Sequence, residues 1–102
     1  MRFGLDENII EKINSVFTAF PQVERAVIYG SRVKGNYKPA SDIDITLMGK
    51  GFSKYTLAEI EFKIDDLLLP YKFDLSIYND ITNPEFKDHI DRIGVMFYEK
   101  AG

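Results

Sequence analysis

Asp42 and Asp44 stand one residue apart near the end of the stretch YGSRVKGNYKPASDIDITL, which runs from Tyr29 to Leu47. In an extended strand that spacing puts both carboxylates on the same face, with Cα atoms roughly 6.5 Å apart. Two carboxylates that converge without a counterion oppose each other's ionisation, and a divalent cation between them removes the repulsion. The donors are all oxygen, there is no cysteine in the chain, and the single histidine, His89, lies far downstream. Such a donor set favours Mg²⁺ or Mn²⁺ over zinc. The competing reading is a solvated strand face decorated with alternating acids. Asp74 bears on the choice, because it stands between Phe73 and Leu75 in a second stretch of the same pattern, YKFDLSIY. A third acid on the same face supplies the shared ligand of a two-ion site, in which ions about 3.5–4 Å apart clamp the attacking and leaving oxygens of a phosphoryl or nucleotidyl transfer. Whether the two strands adjoin is a matter for the fold.

Upstream of the acids the chain prepares a place for phosphates. Gly30 follows an apolar strand and permits a tight turn, Ser31 is placed to cap the short helical turn after it, and exposed N–H groups there attract an anion. Gly35 would let the chain pass close to a ligand. The string GSRVKG has neither the Walker pattern nor the glycine spacing of a dinucleotide fingerprint. Arg32 and Lys34 flank the turn and are placed to reach a triphosphate, although charge after a surface turn is also ordinary. Tyr37 and Pro39 lie in the loop between glycine and acids, where either base contact or loop rigidity accounts for them.

Apolar periodicity supplies the elements that must hold these residues. Leu5, Ile9, Ile13, Val16 and Phe20 recur at helical spacing behind Asp6, predicting a helix over residues 6–19 that stops near Pro21. ERAVIY reads as a buried strand running into Gly30, and SRVKG as one helical turn. From Asp42 to Met48, Ile43, Ile45 and Leu47 alternate with Asp42, Asp44 and Thr46. A helix within SKYTLAEIEFKIDDLLL carries Leu57, Ile60, Ile64 and Leu67 on one face before Pro70, and the Asp74 strand follows. A last helix from about Pro84 uses Phe86, Ile90 and Ile93. GVMFYE after Gly94 reads as a short extended tail or edge strand. His89 reads as a surface residue of that last helix. The expected fold is α/β (α+β), a small mixed twisted sheet with helices packed on one face.

At 102 residues the chain is expected to form one domain, residues 1–102, with a core but without a separate acceptor-binding domain. The formal charge of −3 and the scattered lysines give no pull toward nucleic acid, and no aromatic platform for stacking bases stands out. Without cysteine no disulfide or thiolate site is possible, and no stretch has the length to cross a bilayer. The cytosol is the expected compartment.

The string GSRVKGNYKPASDIDI, from Gly30 to Ile45, resembles the signature of the nucleotidyltransferase superfamily that contains DNA polymerase beta. It is most similar to the minimal nucleotidyltransferase (MNT) branch, small proteins encoded beside a helical HEPN partner. The resemblance assigns Gly30 and Ser31 to the nucleotide-phosphate turn, Gly35 to its second glycine, and Ser41 to the serine before the acids. It assigns Asp42 and Asp44 to the metal-binding pair and Asp74 to the third carboxylate. It implies Mg²⁺-dependent transfer of a nucleoside monophosphate, AMP from ATP, to a hydroxyl acceptor. Because an open sheet face lacks a second wall to orient an acceptor and exclude water, that wall is expected in trans, from another copy or from a HEPN-like protein. In some relatives the helical partner is an RNA-cleaving toxin adenylylated on tyrosine; in others the pair has been proposed to act on a small molecule. Two alternatives stay open: a non-catalytic antitoxin that acts by direct binding, and transfer to an aminoglycoside-like compound.

Overall fold

The computed structural model describes residues 1–101. Its elements run α1 (Glu7–Thr18), β1 (Val23–Tyr29), α2 (Ser31–Lys34), β2 (Ile43–Gly49), α3 (Thr56–Asp65), β3 (Phe73–Ile77), a 3-10 turn (Tyr78–Asp80), α4 (Pro84–Ile93) and β4 (Val95–Glu99). The four strands form one sheet in the order β3-β2-β1-β4. β2 pairs parallel with β3, and β1 pairs antiparallel with both β2 and β4. The fold is thus α+β with a mixed sheet, as expected from the pattern. GVMFYE resolves in favour of the edge strand.

Alternation along the strands sorts their side chains. Ile43, Ile45 and Leu47 of β2, Ala26 and Ile28 of β1 and Leu75 of β3 join Ile10, Ile13 and Phe17 of α1 and Ile60 and Ile64 of α3 in one core. Most of these side chains are fully buried, and each of the larger ones contributes about 1.5–3 kcal/mol by leaving water. α1 starts at Asp6 as read, but the Asp6 carboxylate makes no capping hydrogen bond. α3 is shorter than the apolar pattern allowed. Ser53 and Thr56 close a side-chain-to-backbone turn at 2.9 Å before it, and after it Leu68 adopts a left-handed φ of 56° that ends the helical path ahead of Pro70.

α4 departs from the expectation that the helices share one face. Its Phe86 ring packs edge-on against Tyr29, centroids 5.6 Å apart, and Tyr29 pairs in register with Asp44 on the acid-bearing side of the sheet. A Cβ on Gly94, which ends α4, would sit 2.5 Å from Cγ1 of Val27, the register partner of Thr46 on that same side. α1 and α3 therefore cover one face while α4 covers part of the other. Asn83 accepts from the backbone N–H groups of Glu85 and Phe86 at 2.9 and 3.2 Å, and Pro84 occupies the first turn, so the start of α4 is firmly set.

Candidate active site

Strand register brings the acids together. Asp44 lies opposite Tyr29 of β1 on one side and opposite Asp74 of β3 on the other, giving a Tyr29–Asp44–Asp74 row across three neighbouring strands. Adjacent strands are about 4.8 Å apart, so the two carboxylates are near neighbours. Asp42 sits just before β2, two residues from Asp44, with the following amide of Ile43 bonded to the Lys72 carbonyl at 2.8 Å. Asp42 and Asp74 are exposed and Asp44 is half-buried.

Electrostatics mark the row as short of positive charge. Burial first, then the Asp74 and Asp42 carboxylates, raise the pKa of Asp44 above its ordinary value. The Tyr29 phenol, 5% exposed, is pushed up to about 12 by burial and by Asp74, with a hydrogen bond to Ser76 working the other way and Asp44 adding to the rise. Among the described residues the ion pairs are Arg2 with Glu7 and Arg92 with Asp88, and neither involves these acids. Among the described residues, too, no three acids or histidines are drawn closely enough to hold an ion as they stand. Oxygen donors that repel one another and lack a protein cation fit a hard divalent metal, which would draw them together. One row further along, Thr46 is fully buried and accepts a hydrogen bond from the Ser76 hydroxyl at 2.9 Å.

Gly30 joins the turn to the acids. It has φ +83° and ψ −157°, a conformation open essentially to glycine, and a Cβ there would collide with the Asp44 carboxylate. The backbone of the turn therefore lies directly against the acid. Gly30 also occupies the N-cap position of α2, and Ser31 is the first helical residue instead of the cap, with no side-chain capping bond. Within the turn the Val33 and Lys34 amides donate to the Gly30 carbonyl at 3.2 and 3.1 Å, so the amides of Ser31 and Arg32 are the ones that a helical first turn leaves without an intrahelical acceptor. Gly35 closes α2 in the left-handed region at φ +86°, and a Cβ there would meet nothing within 4 Å. The left-handed backbone accounts for a glycine here, and the space beside it is open.

Arg32 corrects the sequence reading. It is 2% exposed, and its guanidinium donates to four acceptor contacts: Nε and Nη2 to the Ser41 carbonyl at 3.1 and 2.9 Å, Nη2 to Pro39 at 3.1 Å, and Nη1 to Phe3 at 3.0 Å. The Tyr37 and Tyr71 rings flank it at 5.4 and 5.1 Å. With its donors turned onto the backbone, Arg32 is not placed to bind a triphosphate. Ser41 is likewise occupied in the loop, its hydroxyl accepting from the Lys38 amide at 2.8 Å. Lys34 stands exposed at the end of α2, free to approach a phosphate. Tyr29 is the neighbour of the acids that the sequence reading did not single out. The available signal was a tyrosine, with a polar tip, closing the apolar run Ala26–Ile28 immediately before Gly30.

The mixed sheet, the glycine turn and the acid row are the features against which the comparisons with known proteins are set. Residues 11–101 match the family described as "Polymerase beta, Nucleotidyltransferase", and the chain belongs to that family. The chain is 36% identical over 69 residues, covering 67% of its own length and 72% of the relative's, to a Methanocaldococcus jannaschii protein named "Putative protein adenylyltransferase MJ0435". The fold is shared with a solved toxin-antitoxin with AMP-PNP, at TM-score 0.70 and 21% identity, covering 94% of this chain and 75% of that one. It is shared also with a tri-AMPylated Shewanella oneidensis HEPN toxin in complex with MNT antitoxin, at TM-score 0.68 and 15% identity, covering 94% and 74%. The chain is a nucleotidyltransferase with the fold of the MNT branch. No helix of the described residues is long and apolar enough to cross a membrane.

Proposed function

We propose that the protein transfers the AMP moiety of ATP to a hydroxyl of a partner protein, as the antitoxin-like half of a pair with a helical HEPN-type protein. The observation that carries this reading is the Asp44–Asp74 register pair set against the Gly30 turn, with no ion pair to either acid among the described residues. The names of the relatives support the same direction, since they describe an adenylyltransferase, AMP-PNP and an AMPylated HEPN toxin.

Asp42, Asp44 and Asp74 would hold Mg²⁺ or Mn²⁺, and the metal, when bound, neutralises charge on the phosphates and on the oxygens exchanged at phosphorus. The turn at Gly30 and Ser31 would hold the β and γ phosphates through backbone N–H groups, with Lys34 at its rim. The acceptor oxygen bonds to the α phosphorus, the bond to the bridging oxygen breaks, and pyrophosphate leaves. Asp74, exposed at the open side of the row, stands where the incoming hydroxyl arrives and favours loss of its proton. α4 packs on this face at Tyr29 and Val27 and reaches the turn after β3 through Asp91, which accepts from the Tyr78 hydroxyl at 2.7 Å, and the partner would bring the acceptor over the exposed Asp42 and Asp74.

The test is to purify the chain with the helical protein encoded beside it and incubate the complex with Mg²⁺ and ATP. Intact mass of the partner should rise by one or more adenylyl groups, and D42N should abolish the change. A partner that binds stably and is never modified would contradict the protein-acceptor reading, and modification of a small hydroxyl compound in its place would redirect it.

A further inference from the structure

We infer that Arg32 is a positioning residue for the acid row: a buried strut that holds the loop before β2 and so sets where Asp42 stands relative to the Gly30 turn. This rests on the reading of Asp42 and Asp44 as metal-binding acids.

Burying Arg32 is an expensive arrangement. A guanidinium removed from water needs a carboxylate or a full set of acceptors, and none of the hydrogen-bond partners of Arg32 is a carboxylate. It is satisfied by backbone carbonyls and by two ring faces. Those carbonyls come from three places: Phe3 in the tight turn between Arg2 and Leu5, Pro39 in the loop, and Ser41. Ser41 receives two donors from the same fork, and its carbonyl belongs to the peptide that leads into Asp42. The loop is closed on itself as well, through the Ser41 amide to the Lys38 carbonyl at 2.9 Å and the Lys38 amide to the Ser41 hydroxyl at 2.8 Å. Arg32 thus grips a small closed turn, and shifting that turn shifts Asp42.

The other end of the lever lies at the phosphate turn. Arg32 is the second residue of α2, two positions after Gly30, whose backbone lies against the Asp44 carboxylate. One side chain therefore links the turn to the start of the acidic strand without entering the site. A planar fork makes this link; an ammonium does not reproduce it, having one point of charge and no fixed geometry. Small displacements of site groups matter because productive geometry is held within a fraction of an ångström.

The experiment compares wild type with R32K, which keeps the charge and loses the fork. Hydrogen exchange on the metal-free protein should show the Lys38 and Ser41 amides, which the closed turn protects, exchanging at least tenfold faster in R32K, with α1 and α3 unchanged. Isothermal titration should show the Mn²⁺ concentration for half-saturation in the presence of ATP raised tenfold or more, while metal-free ATP binding stays as in wild type. A loop that exchanges as in wild type would overturn the proposal, as would unchanged Mn²⁺ affinity in a folded variant. Loss of metal-free ATP binding by the same factor as metal-dependent binding would make Arg32 a phosphate ligand and also overturn it. If R32K does not fold, Y37L, which removes one ring of the sandwich, must show the same two changes to a smaller degree, and unchanged values there contradict the proposal. Wild type that shows no metal-dependent nucleotide binding would refute the proposed function instead; the exchange result still decides whether Arg32 locks the loop.

Discussion

The two faces of β2 solve opposite problems with alternate residues of one strand. Ile43, Ile45 and Leu47 are fully buried under α1 and α3, where apolar packing supplies stability. Asp44, one residue away from two of them, is crowded by Asp74 and Asp42 and has its ionisation disfavoured. The first face is satisfied by packing alone; the second is under electrostatic tension that a bound cation would relieve. A strand's twofold alternation lets the packed face hold the strained one in place, since a one-residue slip would exchange them.

The largest expected effect comes from breaking the packed face. Ile45→Ala should lower unfolding stability by about 2–5 kcal/mol, read from urea denaturation, because it leaves a cavity beneath the acids. A loss below 1 kcal/mol would mean that the core does not support the strand as described. Next comes the junction: Gly30→Ala places a methyl group on the Asp44 carboxylate and an unfavourable φ on alanine. It should cost about 1–3 kcal/mol and abolish metal-dependent ATP binding, and a variant that binds like wild type would separate the turn from the acids. The smallest effect sharpens the tension on the second face. The Tyr29 phenol ionises at about 12 in the folded protein against 10 in the unfolded chain. The folded state then holds the extra proton between those values, so stability falls as pH rises through that window. Tyr29→Phe should remove this part of the alkaline decline in denaturation midpoints, and an unchanged slope would place the phenol in an ordinary environment.

The same contrast decides what was legible in the sequence. The packed face was readable because burial repeats with the period of each element: Ile13 and Val16, Ile43 and Ile45, and Ile60 and Ile64 are buried where their spacing puts them. The acids were readable as a pattern, and Asp44 and Asp74 prove to be register partners, but pairing of β2 with β3 is a tertiary fact that spacing does not carry. α4 shows the limit clearly. Phe86 and Ile90 identify an apolar stripe, yet nothing local says which side of the sheet it meets, and it meets the side of Tyr29. Arg32 shows it again, because a charge in a surface turn becomes a buried strut only when Phe3, Pro39 and Ser41 fold around it.

The central claim is that the acid row awaits a cation and a nucleotide, and thermal unfolding of wild type and D44N tests it most directly. In EDTA, D44N should melt slightly higher than wild type, because the substitution removes the carboxylate that burial and its acidic neighbours disfavour. With Mg²⁺ and ATP at about a hundredfold over Kd, wild type should gain about 10 °C, and D44N should gain little. An equal gain in both proteins, or none in wild type, would contradict the account.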